Sequence, residues 1–237
     1  MNLIKLSLVA LVTIIASFSA FSQKHAIKCQ MIQEGQFVNV AENLYVDQSF
    51  STQAIEQIKQ SLRNGKIRVE RTYGITTSEP TIIVTNSVEV AQSFGSNATA
   101  STITSLLGEC IVVGPKGQNT DVFAHELVNA ELSHRLGYYT HLTDMPAWFK
   151  EGLALSVDNR EPYRRSNINL NNDDIRKVTE LFYTNDFLAM DDSTKYYQAS
   201  KIAVARVLAK TGPKSLYRRL ERLRSGDSFN AMFGFAH

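Results

Sequence analysis

Apolar residues at Ala54, Ile55, Ile58 and Leu62 recur at helical spacing behind Ser51 or Thr52, either of which can cap the helix they predict. Asn64-Gly65 can interrupt that helix, whereas Ile67, Val69 and Tyr73 can continue it, and the pattern allows both. Leu44-Tyr45-Val46, the β-branched run from Pro80 to Thr85, and Cys110-Ile111-Val112-Val113 read as strands. A short helix is expected over Val88 to Phe94, followed by a Gly/Ser/Asn/Thr-rich loop from Gly95 to Thr102. Asn119 or Thr120 can cap the next helix, which places Asp121 at its positive end and stops at Gly137. Beyond a loop from Tyr138 to Asp144, Pro146 is well placed to start another helix. The polar stretch from Asn159 to Asn172 reads as an exposed insertion. Helical patterns then cover Ile175 to Tyr183, Tyr196 to Lys210 and Lys214 to Arg224, and Phe229, Met232 and Phe233 close the chain.

Strands and helices thus come first and helices alone follow, an order that fits an α+β protein with a helical C-terminal half. No internal repeat is visible. At 237 residues the chain can bury a sizeable core, and its composition is that of an ordinary globular protein. A formal charge of +2 and a pI near 8.5 are too mild to argue for nucleic acid. The basic stretch from Lys201 to Arg224 alternates with apolar positions, as a solvated helix face does.

Residues 1–22 carry a targeting pattern: Lys5, an uncharged apolar run from Leu6 to Phe21, then small residues at Ala20-Phe21-Ser22. Cleavage before Gln23 is expected, and with it a periplasmic or secreted protein. A membrane contact is expected only if the segment stays attached. The residue before Cys29 is Lys28, which argues against lipid attachment there. In an exported chain Cys29 and Cys110 are simplest as one disulfide, two buried thiols being the alternative.

The chemistry concentrates between residues 121 and 158. On a helix, His125 and Asn129 lie one turn apart, aimed at one point about 40° apart around the axis. Glu126 sits beside them. An H-E-x-x-H pair of imidazoles holds zinc while its carboxylate takes a proton from the metal-bound water. A third protein ligand must come from elsewhere, and Glu151, early in the following helix, is the natural candidate. His134, nine residues on from His125, falls about 180° away on the helix and belongs to the surface. His141 sits in a loop and is also expected at the surface.

Further residues invite two readings each. Glu131 and Arg135 have the i,i+4 spacing of a helix ion pair. Trp148 and Phe149 read as core anchors, with pocket walls the alternative. Tyr196 or Tyr197 could present a phenol to an oxyanion, packing being the plainer role. Asp158 could orient His125, although its spacing from Glu151 exceeds one helical turn. No G-x-S-x-G, P-loop or G-x-G-x-x-G motif is present.

The chain resembles the gluzincin branch of zinc metallopeptidases, in particular the small exported peptidase MA-like families. Those look like H-E-L-x-H-x-E-L-x-x-R-x-G followed by L-P-x-W-x-x-E-G-L-A. The matching residues are His125, Glu126, Leu127, Glu131, Leu132, Arg135 and Gly137, then Pro146, Trp148, Glu151, Gly152, Leu153 and Ala154. The resemblance covers roughly residues 75–233 and is most specific over 121–155. It implies one peptidase MA-like domain over 23–237, with an α/β part to about 137 and a helical part from about 145. The zincin-like fold would hold a small sheet, an active-site helix over 120–136 and a facing helix over 146–157.

The resemblance further implies zinc ligands at His125, position 129 and Glu151, Glu126 as general base, and a peptide or protein as substrate or ligand. It departs at Asn129, where a histidine belongs; an amide oxygen is a poor zinc donor beside imidazole. Three outcomes follow: zinc held weakly through His125, Glu151 and water; recruitment of another residue such as His141; or a site without metal or catalysis, kept to bind peptide or a partner.

Overall fold

The computed structural model describes residues 24–32, 36–183, 186 and 192–234; the expected leader over 1–22 and its cleavage point lie outside them. The chain divides into two compact units. One is drawn from the described residues up to Phe50 together with Pro80–Lys116, the other from Ser51–Glu79 with Gly117 onward.

The first unit is built on a five-stranded sheet in the order β1-β2-β3-β5-β4. β1 (Phe37–Ala41) and β2 (Leu44–Asp47) make a hairpin whose turn takes a positive φ at Asn43. β2 runs parallel to β3 (Thr81–Val84), and β3 parallel to β5 (Gly108–Val113), with Ile82 opposite Ile111 and Val84 opposite Val113. β4 (Ala100–Ser105) closes the other edge antiparallel to β5. The β-branched, fully buried residues of β3 and β5 suit the centre of a sheet. α1 (Thr52–Tyr73) belongs to the second unit, while the short α2 (Val88–Ser93), capped by Ser87, stays with the sheet.

Two strands escaped the sequence pattern. β4 reads Ala-Ser-Thr-Ile-Thr-Ser and lies within and beyond the stretch expected as a loop, and β1 alternates only weakly. Residues 24–30 are helical, and a Cys29–Cys110 disulfide ties them to β5. Around it Phe37, Ile83, Ala91, Phe94 and Val112 form one apolar cluster.

The second unit is helical. α1 is unbroken, with the Ser51 hydroxyl accepting from the Ala54 amide, so Asn64-Gly65 does not interrupt it. Gly65 has a packing role instead: a Cβ there would come within 3.0 Å of the Ala124 amide nitrogen, so the glycine lets α1 approach α3 (Thr120–Leu136) closely. Asn119 caps α3 through the amides of Asp121 and Val122, and Gly137 ends it at φ 75°. α3 is buried on most of its faces, carrying the polar side chains of His125, Glu126, Glu131 and Ser133 inward with its apolar ones.

The expected loop after Gly137 contains a short helix, α4 (Tyr138–Thr143); α5 (Ala147–Ser156) then starts behind Pro146. Two 3-10 turns, Glu161–Tyr163 and Arg165–Asn167, lead to α6 (Asn172–Val178), and then come α7 (Ser193–Thr211), α8 (Leu216–Arg224) and α9 (Phe229–Phe233). The helix expected to Tyr183 ends at Val178, where Thr179 caps it.

Trp148 and Phe149 are fully buried, and Phe149 meets Phe229 and Phe233 at ring distances of 5.0 and 4.5 Å, so the core role of this pair holds. Among the described residues no helix is long and apolar enough to cross a membrane.

Candidate functional site

Two helices of the second unit and the turn that follows them supply the site. α3 carries His125 and Glu126, both buried, with Asn129 half-buried one turn further on. α5 carries Glu151, and its C-terminal end delivers Asp158, whose carboxylate is completely buried. α3 and α5 pack directly on each other, and the imidazole of His125 is bracketed between the two acidic residues. Its Nε2 lies 3.7 Å from Glu151 Oε2 and its Nδ1 lies 3.5 Å from Asp158 Oδ2. The Asp158 contact sits at the outer edge of hydrogen-bond range, and Nδ1 has no formed partner.

Asp158 is itself fixed from behind. Arg160 donates from Nε to both carboxylate oxygens, at 3.0 and 2.9 Å, and Nη2 adds a further bond. The Arg160 amide also donates to Oδ1 at 3.0 Å, and Lys201 Nζ donates to the Asp158 carbonyl at 2.8 Å. The entry to this turn is held by Arg68, which bonds Asp121 and donates to the Val157 carbonyl at 2.8 Å. Of the stretch expected as an exposed insertion, Arg160 therefore belongs to the site, while Asn159 and Glu161–Asn167 are exposed apart from a half-buried Tyr163. The aromatic ring of Tyr163 lies under the Arg160 guanidinium at 5.2 Å, and Tyr197 of α7 lies 6.4 Å from Tyr163, ring to ring.

The electrostatics follow from crowding three carboxylates around one imidazole. Burial works against the charged form of His125, but Asp158, Glu126 and Glu151 outweigh it and hold the imidazole pKa above the ordinary histidine value. Burial also pushes Glu151 up, and Glu126 reinforces this against the opposing His125 and Lys150 charges. Asp158 goes the other way: its burial is overcome by His125 and Arg160, which bring it down to about 2. The Tyr197 phenol is pushed up by burial and by Glu151, Tyr163 and Glu126. The fixed Asp158 anion thus favours the charged form of His125, while burial disfavours the charged form of Glu151.

Lys150, the neighbour of Glu151, is also drawn inward, and its Nζ donates to the His141 carbonyl at 3.0 Å. His141 was expected at the surface, yet its Nδ1 is buried without a partner, and burial followed by the Lys150 charge lowers the ring to about 3. His134 is exposed on the far side of α3, as its spacing required. Glu131 does pair with Arg135, at 2.6 Å, but it is more than a surface ion pair. Its buried carboxylate also accepts from the backbone amides of Thr77 and Ser78.

The residues present do not fit the three-ligand zinc centre that the resemblance implies. Among the described residues no three His, Cys, Asp or Glu side chains converge where one ion could sit. His125 and Glu151 offer an imidazole and a carboxylate, and the third position holds an amide on the short side chain of Asn129. Sequence reasoning brought His125, Glu126 and Glu151 to one place and held Asp158 to be the lesser option as an orienting group, whereas the structure sets it beside His125. Sequence reasoning missed Arg160 and Lys150, for which the only available signals were the Asp-x-Arg spacing at 158–160 and the charge directly before Glu151. No family model matches the chain, and neither the curated proteins nor the solved structures contain a match to it.

Proposed function

We propose that this is an exported, metallopeptidase-like protein of the gluzincin, peptidase MA-like kind whose zinc hydrolase centre is weakened or lost. The observation that carries the reading is the placement of His125. It stands between Glu151 and Asp158 with Glu126 alongside, the surroundings of a peptidase histidine, while Asn129 occupies the remaining ligand position. Without a complete ligand set the same groups form a buried polar cluster, in which Asp158 faces His125 Nδ1 and Glu151 faces Nε2. Such a centre suits recognition of a peptide or protein better than its hydrolysis. Export is supported by the leader-like sequence of residues 1–22 and by the Cys29–Cys110 disulfide, a bond that persists in oxidising compartments.

A weakly metallated form has one observation in its favour. A tetrahedral zinc with ligands at roughly 2.0–2.2 Å spaces neighbouring donor atoms about 3.3–3.6 Å apart. The 3.7 Å between His125 Nε2 and Glu151 Oε2 is close to that. Metal content distinguishes the two. After equilibration with zinc and gel filtration, the purified protein should carry well under one zinc per chain, and Asn129→His should raise this to stoichiometric and bring peptide hydrolysis with it. Stoichiometric zinc in the unaltered protein, lost in Glu151→Ala, would support the enzyme reading instead. If Asn129→His gains neither metal nor activity, the peptidase ancestry itself is wrong.

A further inference from the structure

A second feature of the helical unit is independent of the His125 site. A cleft of about 240 Å³ is lined by residues of α6 and α7 together with Phe233 and Gly234. Its floor is apolar: Ile175, Val207 and Phe233 are all buried. Every charged residue that lines it is a cation, namely Arg176, Arg206 and Lys210. None of the residues of the His125 site reaches it.

The chemistry of this cleft is directional. Arg206 and Lys210 stand at i,i+4 on α7, one turn apart on the same face as Val207, which is a repulsive spacing for like charges. Arg206 donates to the neutral Asn172 amide oxygen at 2.8 Å, and Lys210 makes no ion pair among the described residues. Among the described residues only Arg176 of the three has acidic neighbours, Asp173 at 3.8 Å and Glu180 at 3.3 Å, both exposed and on or just beyond its own helix. Among the described residues, Arg206 and Lys210 beside this apolar cleft therefore have no acidic partner. A ligand that satisfies both features carries one anionic head and a short apolar body. A volume of about 240 Å³ lies just below the roughly 300–1,000 Å³ of ordinary ligand pockets and so suits a small organic acid.

We propose that this cleft is a binding site for an apolar carboxylate. The carboxylate pairs with Arg206 and Lys210, and the apolar body lies against Ile175, Val207 and Phe233. Two sources share that chemistry, a medium-chain fatty acid and the C-terminal residue of a peptide ending in an aliphatic side chain. The bidentate fork of Arg206 is the natural partner for either head group.

The test is a titration of the full-length, 15N-labelled protein by amide NMR with octanoate, octan-1-ol, N-acetyl-leucine and N-acetyl-leucinamide. Octanoate or N-acetyl-leucine should shift amides in residues 172–179, 203–210 and 233–234, and the stronger of the two identifies the source. Their neutral counterparts should bind at least tenfold more weakly. Arg206→Ala with Lys210→Ala should weaken the acid about tenfold or more while leaving the spectrum elsewhere unchanged, and the single Lys210→Glu should do the same without removing bulk. Both positions are exposed, so the fold survives the changes. Equal binding of octanoate and octanol, acid binding unaffected by either variant, or no shift in these segments at any concentration would overturn the proposal.

Discussion

His125 Nδ1 lies 3.5 Å from Oδ2 of Asp158, a carboxylate with no exposed surface that Arg160 grips through its guanidinium. Removing that acid strands the Arg160 guanidinium and takes away the carboxylate that faces the buried His125 Nδ1. Asp158→Ala is expected to cost about 3–5 kcal/mol, and Asp158→Asn clearly less, since the amide still accepts from Arg160. The pH dependence follows from the direction of the shift. The folded carboxyl sits at about 2 against an ordinary 3.8, so its stabilisation is complete above about 4 and disappears as pH falls from there toward 2. Urea midpoints at pH 7 and pH 2.5 check this. If Asp158→Ala unfolds at the same urea concentration as the unaltered protein at pH 7, the clamp is idle.

Glu131 performs a separate structural task at the other end of α3. It accepts from the Thr77 and Ser78 amides at 3.0 and 2.8 Å and from Arg135 at 2.6 Å, so the segment after α1 is tied to α3 through one carboxylate. Burial alone would raise this group, but Ser78, Arg135 and Thr77 together hold it below the ordinary value of 4.5. Its contribution is therefore present above pH 4.5 and is lost as pH falls through the lowered folded value. Glu131→Ala should lose about 3–4 kcal/mol, because two backbone amides and a guanidinium are left unpaired. Glu131→Gln should lose less. A neutral effect of Glu131→Ala on thermal unfolding would show that water replaces the clamp at no cost.

What the sequence revealed, and what it concealed, have different physical origins. Periodicity and capping chemistry are local, so Ser51, Asn119, Gly137 and Pro146 marked helix ends that the structure bears out. β4 was concealed because the Ser and Thr residues on both sides of Ile103 look like loop residues until Cys110 and Val112 are known to lie beside the strand. The same limit applies at the site. Helical spacing put His125 and Glu126 together and the motif suggested Glu151. Asp158 reaches His125 only because α5 ends and the chain turns back, and spacing measured along a helix cannot anticipate that turn. The depth of Glu131 was equally invisible, since an i,i+4 pair reads the same whether it lies in water or under Thr77 and Ser78.

Gly152 is a contact point rather than a flexible joint. A Cβ built there would come within 2.4 Å of both the Ser200 carbonyl oxygen and Val204 Cγ2, so α5 and α7 meet backbone to backbone. Gly152→Ala gains helix propensity but forces these helices apart, and overpacking of this kind costs roughly 1–3 kcal/mol. The displacement also pulls on Glu151 and Asp158, which flank this contact on the same segment. A Gly152→Ala protein as stable as its parent by calorimetry would mean that α7 yields without strain.

The Cys29–Cys110 bond closes a span of 81 residues. In the chain-entropy description a loop of that length is worth about 4–5 kcal/mol, and measured values commonly fall short of the full figure. Cys29→Ala with Cys110→Ala should therefore lower stability by about 2–4 kcal/mol, and dithiothreitol should produce a similar drop in the parent while leaving the double variant unchanged. A drop of the same size in the double variant on adding dithiothreitol would point to an effect of the reagent and not of the bond.

Lys150 gives the last prediction, with the opposite sign to the acids. Burial lowers its ammonium to about 8 from an ordinary 10.5, only partly offset by the Glu151 charge, while Nζ donates to the His141 carbonyl. A lysine that is harder to protonate folded than unfolded opposes folding wherever the unfolded chain still holds its proton. That penalty is greatest below about pH 8 and fades as pH rises toward 10.5, so the parent should gain stability across that window from this group. Lys150→Met removes the penalty along with one hydrogen bond to a carbonyl, two effects of opposite sign. Allowing for partial solvent access, a net gain of about 1 kcal/mol is expected at pH 7, shrinking to nothing or reversing near pH 10.5. Chemical denaturation of both proteins at the two pH values measures it directly. If Lys150→Met is destabilised at pH 7 by as much as at pH 10.5, the ammonium is solvated where it stands, and its bond to His141 outweighs any burial.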